Sequence, residues 1–337
     1  MKQAMFWGKR KGKKDKTVQC HLCPRHCVIK DKARGNCRVR ENRNGKLYSL
    51  VYGEACAVAV DPIEKKPLFH FLPGTTAYSI GTAGCNLHCK FCQNWTTSQA
   101  NPEDVITEKL SPKQIVENAA KAGCKSIAYT YNEPIVYYEY ALDTAKIARK
   151  KGLKNVIVCS GFINQEPLLE WCKYIAAANI DLKGFNDKFY KEITGGWLEP
   201  VLETIKTLHE KKVWLELTNL IIPKHNDDIK LIKKMCGWII ENIGKDVPLH
   251  FSAFYPCYLM SNLAQTPPET VLKAVNVAKK AGLNYVYAGN IPVEKEGNTY
   301  CHECKDLLIK RQWFNILENR IKNGKCTNGH KIPGVWR

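Results

Sequence analysis

Three closely spaced cysteines are the residues of this sequence best suited to chemistry. Cys85, Cys89 and Cys92 form a Cys-x3-Cys-x2-Cys pattern directly after an apolar, strand-like run. Three thiolates on one loop can each ligate one iron of a cubane, whereas electron-transfer cubanes use four cysteines. The fourth iron would then be open to a substrate or cofactor, as in catalytic metal sites. A zinc knuckle with a distant fourth ligand and chance spacing are the alternatives, but the position after a strand favours the cluster.

Two further sets of potential metal ligands flank this loop. The N-terminal set is Cys20, Cys23, Cys27 and Cys37, and the C-terminal set is Cys301, Cys304, Cys326 and His330. Both segments hold too few apolar residues for a core of their own, so a bound metal would supply folding energy. The C-terminal set resembles a zinc ribbon in which Gly329 stands at the last cysteine position. His330 must then be the fourth ligand, or the site has three ligands or is vacant.

The metal of the N-terminal set is left open by its spacing. Thiolate ligands suit both structural zinc and an auxiliary iron–sulfur cluster, and we favour zinc. The 16 cysteines occur in a chain of 337 residues whose basic first 16 residues contain no apolar signal segment. Metal or redox chemistry is therefore expected instead of disulfides. No apolar run reaches the length of a membrane span, so we expect a cytoplasmic protein with no membrane partner.

Positive charge is concentrated at the N-terminus. The chain has 51 Lys and Arg against 32 Asp and Glu, and residues 1–46 contain 15 basic and 3 acidic side chains, a net charge of +12. The run from Lys9 to Lys14 predicts a basic arm over residues 1–19 that could grip nucleic acid or an acidic protein surface. A solvated, mobile end is the alternative.

Apolar, β-branched runs alternate with helical patterns through most of the chain. Strands are predicted at 77–81, 126–130, 155–160, 179–182, 213–222, 248–254 and 285–288. Helices are predicted from Pro112 to Gly123, where Ser111 and Gln114 form a capping box, and at 135–151, 200–212, 227–242 and 267–281. The spacing of the strands is that of βα units, so they should be parallel. This order allows a doubly wound sheet or a full or partial (β/α) barrel.

The cysteine loop resembles the signature of the radical SAM superfamily, which has an aromatic residue, here Phe91, before the last cysteine. Residues 61–74, 129–134, 181–185, 289–290 and 298–301 resemble the pyruvate formate-lyase activating enzyme-like branch, and within it the AmmeMemoRadiSam-system enzymes. The resemblance implies a partial (β/α)6-type barrel at 76–290, with a four-cysteine segment at 20–75 and a zinc-ribbon-like segment at 291–337. It also implies a [4Fe-4S] cluster whose open iron is chelated by S-adenosylmethionine (SAM).

The same resemblance implies roles for individual residues. Cys85, Cys89 and Cys92 would hold the cluster, and the cofactor would contact Phe91, Asn132, Glu133, Ser160, Asp181 and Lys183. Glu133 follows the second strand, where the family binds the methionyl amine, although Asn132 replaces a glycine of the family motif. Asp181 and Lys183 match a pair that lies beside the methionine carboxylate in glycyl-radical activases. The structural alternatives are a helix N-terminal acid for Glu133, a strand-end turn at Ser160 and a buried ion pair for Asp181 and Lys183.

The implied activity is that of a radical oxidoreductase of class EC 1.97.1.-. SAM is cleaved reductively, and the 5′-deoxyadenosyl radical abstracts hydrogen from a substrate. We expect a protein substrate, with Memo-family and AMMECR-type proteins as candidate partners and a flavodoxin- or ferredoxin-type electron donor. An enzyme that modifies RNA, supported by the basic arm, and a non-catalytic iron–sulfur or zinc scaffold are the alternatives.

Two other residues are weaker candidates. His250 falls on the sixth predicted strand, where it could face the barrel lumen or be a hydrogen-bonded core residue. Cys257 follows that strand and could contact the substrate. The cysteines at 56, 124, 159, 172 and 236 follow no ligand spacing and are predicted to pack in the core.

Overall fold

An eight-stranded sheet forms the centre of the computed structural model, which describes residues 1–10, 16–292 and 295–337. Most of the predicted basic run, from Lys11 to Lys14, lies outside the described residues. The strands of the sheet are β1 (Ala57–Pro62), β2 (Thr76–Gly81), β3 (Ser126–Tyr129), β4 (Lys154–Cys159), β5 (Ala177–Asp181), β6 (Trp214–Ile221), β7 (Leu249–Ala253) and β8 (Val286–Gly289).

The strands are ordered in the sheet as they are in the chain. β2 to β8 are parallel to one another, and β1 pairs with the outer edge of β2 in the antiparallel direction. A doubly wound sheet would reverse its strand order at a switch point, so the sequential order excludes that alternative. All seven predicted strands are confirmed, and the fold is the expected mixed α/β architecture of the partial (β/α) barrel type.

Six helices of eight residues or more connect the seven parallel strands, and two shorter ones, Trp95–Ser98 and Asp187–Phe189, lie in the same connections. The six longer helices are α1 (Pro112–Lys121), α2 (Tyr138–Lys150), α3 (Gln165–Cys172), α4 (Glu199–Glu210), α5 (Ile229–Asn242) and α6 (Pro268–Ala281). The predicted capping box is present, since Ser111 Oγ accepts the Gln114 N–H and Gln114 reaches back to the Ser111 N–H. A 3-10 turn, Pro134–Tyr137, precedes α2 where the sequence predicted continuous helix. The short helix α3 was not predicted.

Small side chains fill the inner face of the sheet at its lower end, where the strands begin. Ala77, Ala128, Val156 and Ala177 come from four neighbouring strands and pack against Leu68 and Phe71. The segment before β2 therefore closes this end of the barrel. The opposite end, where the strands finish, is left free to form a cavity.

The N-terminal segment forms two small antiparallel sheets beside the barrel. One contains Lys2–Gln3, Arg40–Arg43 and Lys46–Ser49, and the other contains Trp7–Lys9, Val18–Cys20 and Val28–Ile29. A two-residue pair joins Glu54–Ala55 to Glu108–Lys109. Residues 2–3 and 7–9, which the sequence assigned to a basic arm, are thus paired with the cysteine-bearing segment that follows.

The C-terminal segment forms a third small sheet and then returns to the lower end of the barrel. Its strands are Thr299–Tyr300, Leu307–Gln312 and Asn315–Asn319. Val335 bridges to Phe71, with backbone hydrogen bonds of 2.7 Å to His70 and Leu72. No helix in the described ranges is both long and apolar enough to cross a bilayer.

Candidate active site

A cavity of about 260 Å³ opens at the ends of the parallel strands, and every residue that the radical SAM resemblance assigned to the cluster or to SAM lines it. These residues are Cys85, Phe91, Cys89, Cys92, Asn132, Glu133, Ser160, Asp181 and Lys183. They come from four segments that follow or end β2, β3, β4 and β5. The carboxyl ends of parallel strands meet at one edge, which is where such folds build active sites.

The cysteine loop is held by backbone hydrogen bonds at several points. The N–H groups of His88 and Lys90 donate to Thr194 and Ile193 of the π-helical turn before α4, at 2.8 and 2.9 Å. Leu87 N–H donates to Cys85 Sγ at 3.4 Å. Burial raises the pKa of Cys89 to about 12 and that of Cys85 well above its usual value. These thiols are therefore neutral alone, and a metal or cluster must displace their protons.

Asn132 fixes the approach to the cysteine loop. Its side-chain amide donates to the carbonyl of Gly84 at 2.7 Å and to that of Ala83 at 3.3 Å. The Thr82 N–H donates to Asn132 Oδ1 at 3.1 Å. The residue that replaces a family glycine thus uses its side chain to hold the turn that leads to Cys85.

Glu133 presents a buried carboxylate to the cavity. Its Oε2 accepts the backbone N–H of Ser160 at 2.9 Å, and its Oε1 lies 3.4 Å from the N–H of Ile135. Burial raises its pKa to about 7, although the hydrogen bonds from Ser160 and Ile135 oppose the rise. The helix N-terminal contact expected as the alternative is present, and the same side chain also lines the cavity.

Asp181 and Lys183 form an ion pair at the cavity wall, with Lys183 Nζ 2.7 Å from Asp181 Oδ2. Burial would lower the pKa of Lys183, but Asp181 and the nearby Cys89 outweigh it, so the pKa is raised and the ammonium stays charged. Nζ also lies 5.7 Å from the ring centre of Phe91, within cation–π range. A fixed positive charge therefore stands beside the cysteine loop.

Several cavity residues were missed in the sequence. Ser98 Oγ lies 3.1 Å from Cys92 Sγ, and Tyr131, Cys159, Thr218 and Ser252 also line the cavity. Cys159 ends β4 and Ser252 lies near the end of β7, so position at a strand end was the signal that could have found them. Cys159 was predicted to pack in the core; it is buried and also reaches the cavity.

His250 and Cys257, the two weaker candidates from the sequence, lie in different places. His250 is buried against Glu216, with Nε2 2.7 Å from Oε2, and Glu216 also accepts the N–H groups of Phe69 and His70. His250 thus takes the hydrogen-bonded core role. Cys257 Sγ lies 3.4 Å from the carbonyl of Cys92, so it contacts the cysteine loop.

The C-terminal ligand set is gathered at one point. The ligand atoms of Cys301, Cys304, Cys326 and His330 all lie within 4.8 Å of one another. His330 Nδ1 is 3.3 Å from Cys326 Sγ and 3.7 Å from Cys301 Sγ. Three thiols and an imidazole at this spacing suit a single tetrahedral ion. His330 therefore occupies the position of a fourth ligand. The N-terminal set lies elsewhere and lines a separate cavity.

Comparison with known proteins agrees with this geometry. The uncharacterized protein MJ0808 of Methanocaldococcus jannaschii is 46% identical over 338 residues, covering 99% of this chain and 100% of that protein. The model of the radical SAM superfamily matches residues 79–235, from β2 into α5. The chain belongs to the radical SAM superfamily.

Membership of the radical SAM superfamily implies an enzyme with a [4Fe-4S] cluster and SAM. The donor set fits, because three thiols surround a cavity that also holds a carboxylate and an ammonium group. The 4-hydroxyphenylacetate decarboxylase activating enzyme of Clostridium scatologenes is 26% identical over 155 residues, which are 45% of this chain and 49% of that enzyme. Among solved structures, SuiB of Streptococcus suis matches with a TM-score of 0.50 and 14% identity, over 68% of this chain and 52% of SuiB, which shows a shared fold.

Proposed function

We propose that this radical SAM protein is an oxidoreductase of class EC 1.97.1.- that cleaves SAM and takes hydrogen from a protein substrate. Cys85, Cys89 and Cys92 would hold the cluster. When bound, a [4Fe-4S] cluster supplies the electron that splits SAM into methionine and a 5′-deoxyadenosyl radical, which abstracts hydrogen. The observation that carries the proposal is the single cavity that gathers these thiols with Glu133 and Lys183.

The two charged side chains match the two ends of an amino acid. The carboxylate of Glu133 would accept a hydrogen bond from the methionyl amine, and the ammonium of Lys183 would pair with the methionyl carboxylate. The Glu133 side chain is buried and that of Lys183 is only 14% exposed, so these charge-assisted contacts would be stronger than in water. Phe91 and Ser160 complete the wall against which the rest of the cofactor would lie.

An exposed apolar patch adjoining the cavity supports a protein substrate, since Trp95 directly follows Asn94 and Tyr255 Oη donates to the carbonyl of Asn290 at 2.9 Å, and both asparagines line the cavity. The patch consists of Trp95, Tyr255, Tyr258 and Leu259, and we call it the mouth patch. Trp95 and Leu259 are 42% and 62% exposed, and the Trp95 ring stacks on Tyr258 with centres 5.2 Å apart. Exposed aromatic clusters of this kind mark protein interaction sites. The relative from Clostridium scatologenes is named for activating another enzyme, which is also a protein.

The partners are proposed from the sequence motifs that resemble the AmmeMemoRadiSam system. Memo-family and AMMECR-type proteins are the first candidates for the substrate or its complex, and a flavodoxin or ferredoxin is the candidate electron donor.

At the other end of the molecule, the gathered ligands Cys301, Cys304, Cys326 and His330 support a structural zinc site.

Formation of 5′-deoxyadenosine tests the activity directly. The protein is reconstituted anaerobically with iron and sulfide, supplied with SAM and dithionite, and the product is quantified by chromatography. Wild type and Cys172→Ala, a control at the end of α3 away from the cavity, should form product, whereas Cys89→Ala should form at least about 100-fold less. Equal product from Cys89→Ala would contradict the proposal.

The substrate class is tested with deuterium. Candidate partner proteins are labelled with deuterium, and transfer of the label into 5′-deoxyadenosine is measured by mass spectrometry. Trp95→Ala at the mouth patch should raise the KM for the partner several-fold and leave cleavage of SAM in the absence of the partner unchanged. Label arriving only from deuterated RNA would contradict a protein substrate.

A further inference from the structure

The hydroxyl group of Ser98 faces the last cysteine of the radical SAM loop. Ser98 Oγ lies 3.1 Å from Cys92 Sγ, a distance at which an O–H group can donate to sulfur. Ser98 is 2% exposed, and both residues line the cavity. The hydroxyl is thus shielded from bulk water, which would otherwise compete for the same contact.

The backbone fixes the position of Ser98 beside the loop. Ser98 is the last residue of the short helix Trp95–Ser98, which begins three residues after Cys92. Its N–H donates to the carbonyl of Asn94 at 2.8 Å. The Gly84 N–H donates to the carbonyl of Thr97 at 3.0 Å, which joins the helix to the residue before Cys85. The helix is therefore attached to the loop at both of the loop's ends.

The orientation of the Gln99 side chain determines which way the hydroxyl proton of Ser98 points. The guanidinium of Arg38, which can only donate, lies 3.2 Å from one end of the Gln99 amide, so that end is the oxygen. His88 Nδ1 lies 2.7 Å from the same oxygen and therefore carries a proton. The other end is the NH2 group, which donates to the carbonyl of Leu87 at 3.1 Å and to Ser98 Oγ at 3.4 Å.

Ser98 therefore accepts from Gln99 and donates to Cys92. An amide NH2 group has no lone pair with which to accept, so the hydroxyl proton of Ser98 cannot point at Gln99. When Cys92 is a thiolate, its sulfur has no proton to donate and acts as an acceptor. The contact between Ser98 Oγ and Cys92 Sγ is then an O–H donor aimed at a cluster ligand.

A hydrogen bond to a thiolate ligand changes how easily an iron–sulfur cluster is reduced. Reduction adds one negative charge to the cluster and its thiolates, so a donor at sulfur stabilises the reduced state more than the oxidised state. The reduction potential is therefore less negative with the donor than without it. Cys85 Sγ also accepts an N–H group, that of Leu87 at 3.4 Å, but this donor belongs to the backbone. The donor at Cys92 is a side chain, so a substitution can remove it.

We propose that Ser98 is a positioning residue that acts through Cys92. Its hydroxyl donates to the Cys92 thiolate and makes a [4Fe-4S] cluster on this loop easier to reduce by one electron, which a donor of the flavodoxin or ferredoxin class supplies. Ser98 itself gains and loses no electron, and its O–H bond stays intact. The inference rests on the proposed function in taking Cys85, Cys89 and Cys92 as the cluster ligands, and it is independent of the substrate.

The midpoint potential of the cluster tests this role. Wild type and variants are reconstituted anaerobically with iron and sulfide, without SAM, and the reduced cluster is quantified by electron paramagnetic resonance at a series of fixed potentials. The signal followed is the one that Cys89→Ala lacks. Ser98→Ala should lower the equilibrium constant for one-electron reduction about tenfold, which is a shift of about 59 mV to more negative potential.

Two control variants accompany Ser98→Ala. Ser98→Thr keeps the hydroxyl and should restore the potential of the wild type. Thr96→Ala removes an exposed hydroxyl from the same short helix and should also leave the potential unchanged. A wild-type potential in Ser98→Ala with full iron content would overturn the inference, and so would an equal shift in Thr96→Ala.

The hydroxyl proton gives a second readout, which a purely structural role of Ser98 would not change. Electron–nuclear double resonance of the reduced cluster is recorded in H2O and in D2O. Ser98→Ala should lose one exchangeable proton coupling that the wild type and Thr96→Ala retain. An unchanged set of couplings in Ser98→Ala would overturn the inference.

Iron content separates failure of this inference from failure of the proposed function. If the wild type binds no [4Fe-4S] cluster at these cysteines, both fail. If the wild type binds the cluster and forms 5′-deoxyadenosine but Ser98→Ala has the same potential, only the inference fails. If Ser98→Ala does not fold, as circular dichroism will show, Gln99→Met decides. This variant removes the amide that directs the hydroxyl proton and should lower the equilibrium constant for reduction about threefold, whereas a wild-type potential would overturn the inference.

Discussion

Glu133 holds a carboxylate in a place that disfavours negative charge. Burial raises its pKa from an ordinary value near 4.5 to about 7, because two backbone N–H groups only partly replace water. The folded protein therefore binds this proton more tightly than the unfolded chain does. The charged carboxylate destabilises the fold fully above about pH 7, and the destabilisation disappears below about pH 4.5. The destabilisation fits our proposal that a cationic group, the methionyl amine of SAM, binds beside this carboxylate.

Removing this charge should make the protein more stable at high pH. In Glu133→Gln, the free energy of unfolding relative to wild type should rise by about 1 to 3 kcal/mol between pH 5 and pH 8. The measurement is urea unfolding followed by circular dichroism at both pH values. Glu166→Gln, at an exposed glutamate of α3, should show no such trend. If the difference in the free energy of unfolding between Glu133→Gln and wild type does not change with pH, the pKa of Glu133 is not raised in the folded protein.

The same variant should lose affinity for SAM. A charge-assisted hydrogen bond contributes about 1.5 to 3 kcal/mol, so Kd should rise roughly 10- to 100-fold. In wild type, affinity should also fall as the pH drops below about 7 and the carboxylate becomes protonated. Calorimetry of the reconstituted protein measures both effects. A pH-independent Kd in wild type would argue against an amine contact at Glu133.

The residues that line the cavity could be predicted because a few of them carry strong signals in the sequence. Cys85, Cys89 and Cys92 have a distinctive spacing, and Glu133, Ser160 and Asp181 stand where predicted strands end. The role of Asn132 could not be predicted, because its contact with Gly84 depends on how two loops meet in space. Thr218 lies within β6, where a polar side chain gives no sign of which face it occupies.

Gly84 shows why the radical SAM loop and the N-terminal segment must be treated as one element. A Cβ atom at this residue would lie 2.5 Å from the carbonyl oxygen of Cys37 and 2.5 Å from a methyl group of Val39. Its φ of +86° is also in the left-handed region that favours glycine. The two cysteine segments can pack together only because this position has no side chain.

The variant Gly84→Ala should therefore destabilise the protein more than its backbone angle alone explains. Gly123→Ala is the matched control, because Gly123 has a φ of +68° and a Cβ there would meet no described atom within 4 Å beyond its chain neighbours. We expect Gly84→Ala to lower the free energy of unfolding by about 1 to 3 kcal/mol more than Gly123→Ala. Urea unfolding of both variants measures the difference. Equal losses of unfolding free energy in the two variants would mean that the N-terminal segment does not pack tightly against Gly84.

The long elements of the fold were predictable and the short ones were not. Seven parallel strands appear as apolar, β-branched runs, which are the strongest signal for buried strands. The helix α3 has only eight residues and contains Pro167, and its N-cap residue, Asn164, makes no side-chain capping bond. The N-terminal strands have two to four residues, too few for an alternating pattern. These elements are stabilised by tertiary contacts that the local sequence does not record.

At the scale of the molecule, the C-terminal ligand set packs against the end of the barrel opposite the cavity. Cys301 and Cys326 pack in one cluster with Phe69, Tyr285 and Tyr287, which belong to the lower barrel and β8. A metal ion bound there would tie the third small sheet to the strands. Loss of the ion is therefore expected to lower the stability of the lower end of the barrel and to leave the cavity unchanged.

His330 provides the sharpest test of this site. His330→Ala should lower the zinc content below one ion per chain and reduce Tm by about 5 °C or more, whereas His330→Cys, which restores a soft ligand, should retain both. Zinc is measured by elemental analysis and Tm by circular dichroism, with Cys172→Ala as the control for loss of an unrelated thiol. Full zinc content in His330→Ala would show that His330 is not a ligand.

The pairing of Val335 with Phe71 has a consequence for synthesis of the chain. The two residues are 264 positions apart, yet Val335 exchanges backbone hydrogen bonds with His70 and Leu72 at the closed end of the barrel. This closure cannot form until residue 335 has left the ribosome, although every barrel strand emerges earlier. We therefore expect a nascent chain that lacks residue 335 to form the barrel strands but leave their lower end open, and full resistance to proteolysis to require residue 335.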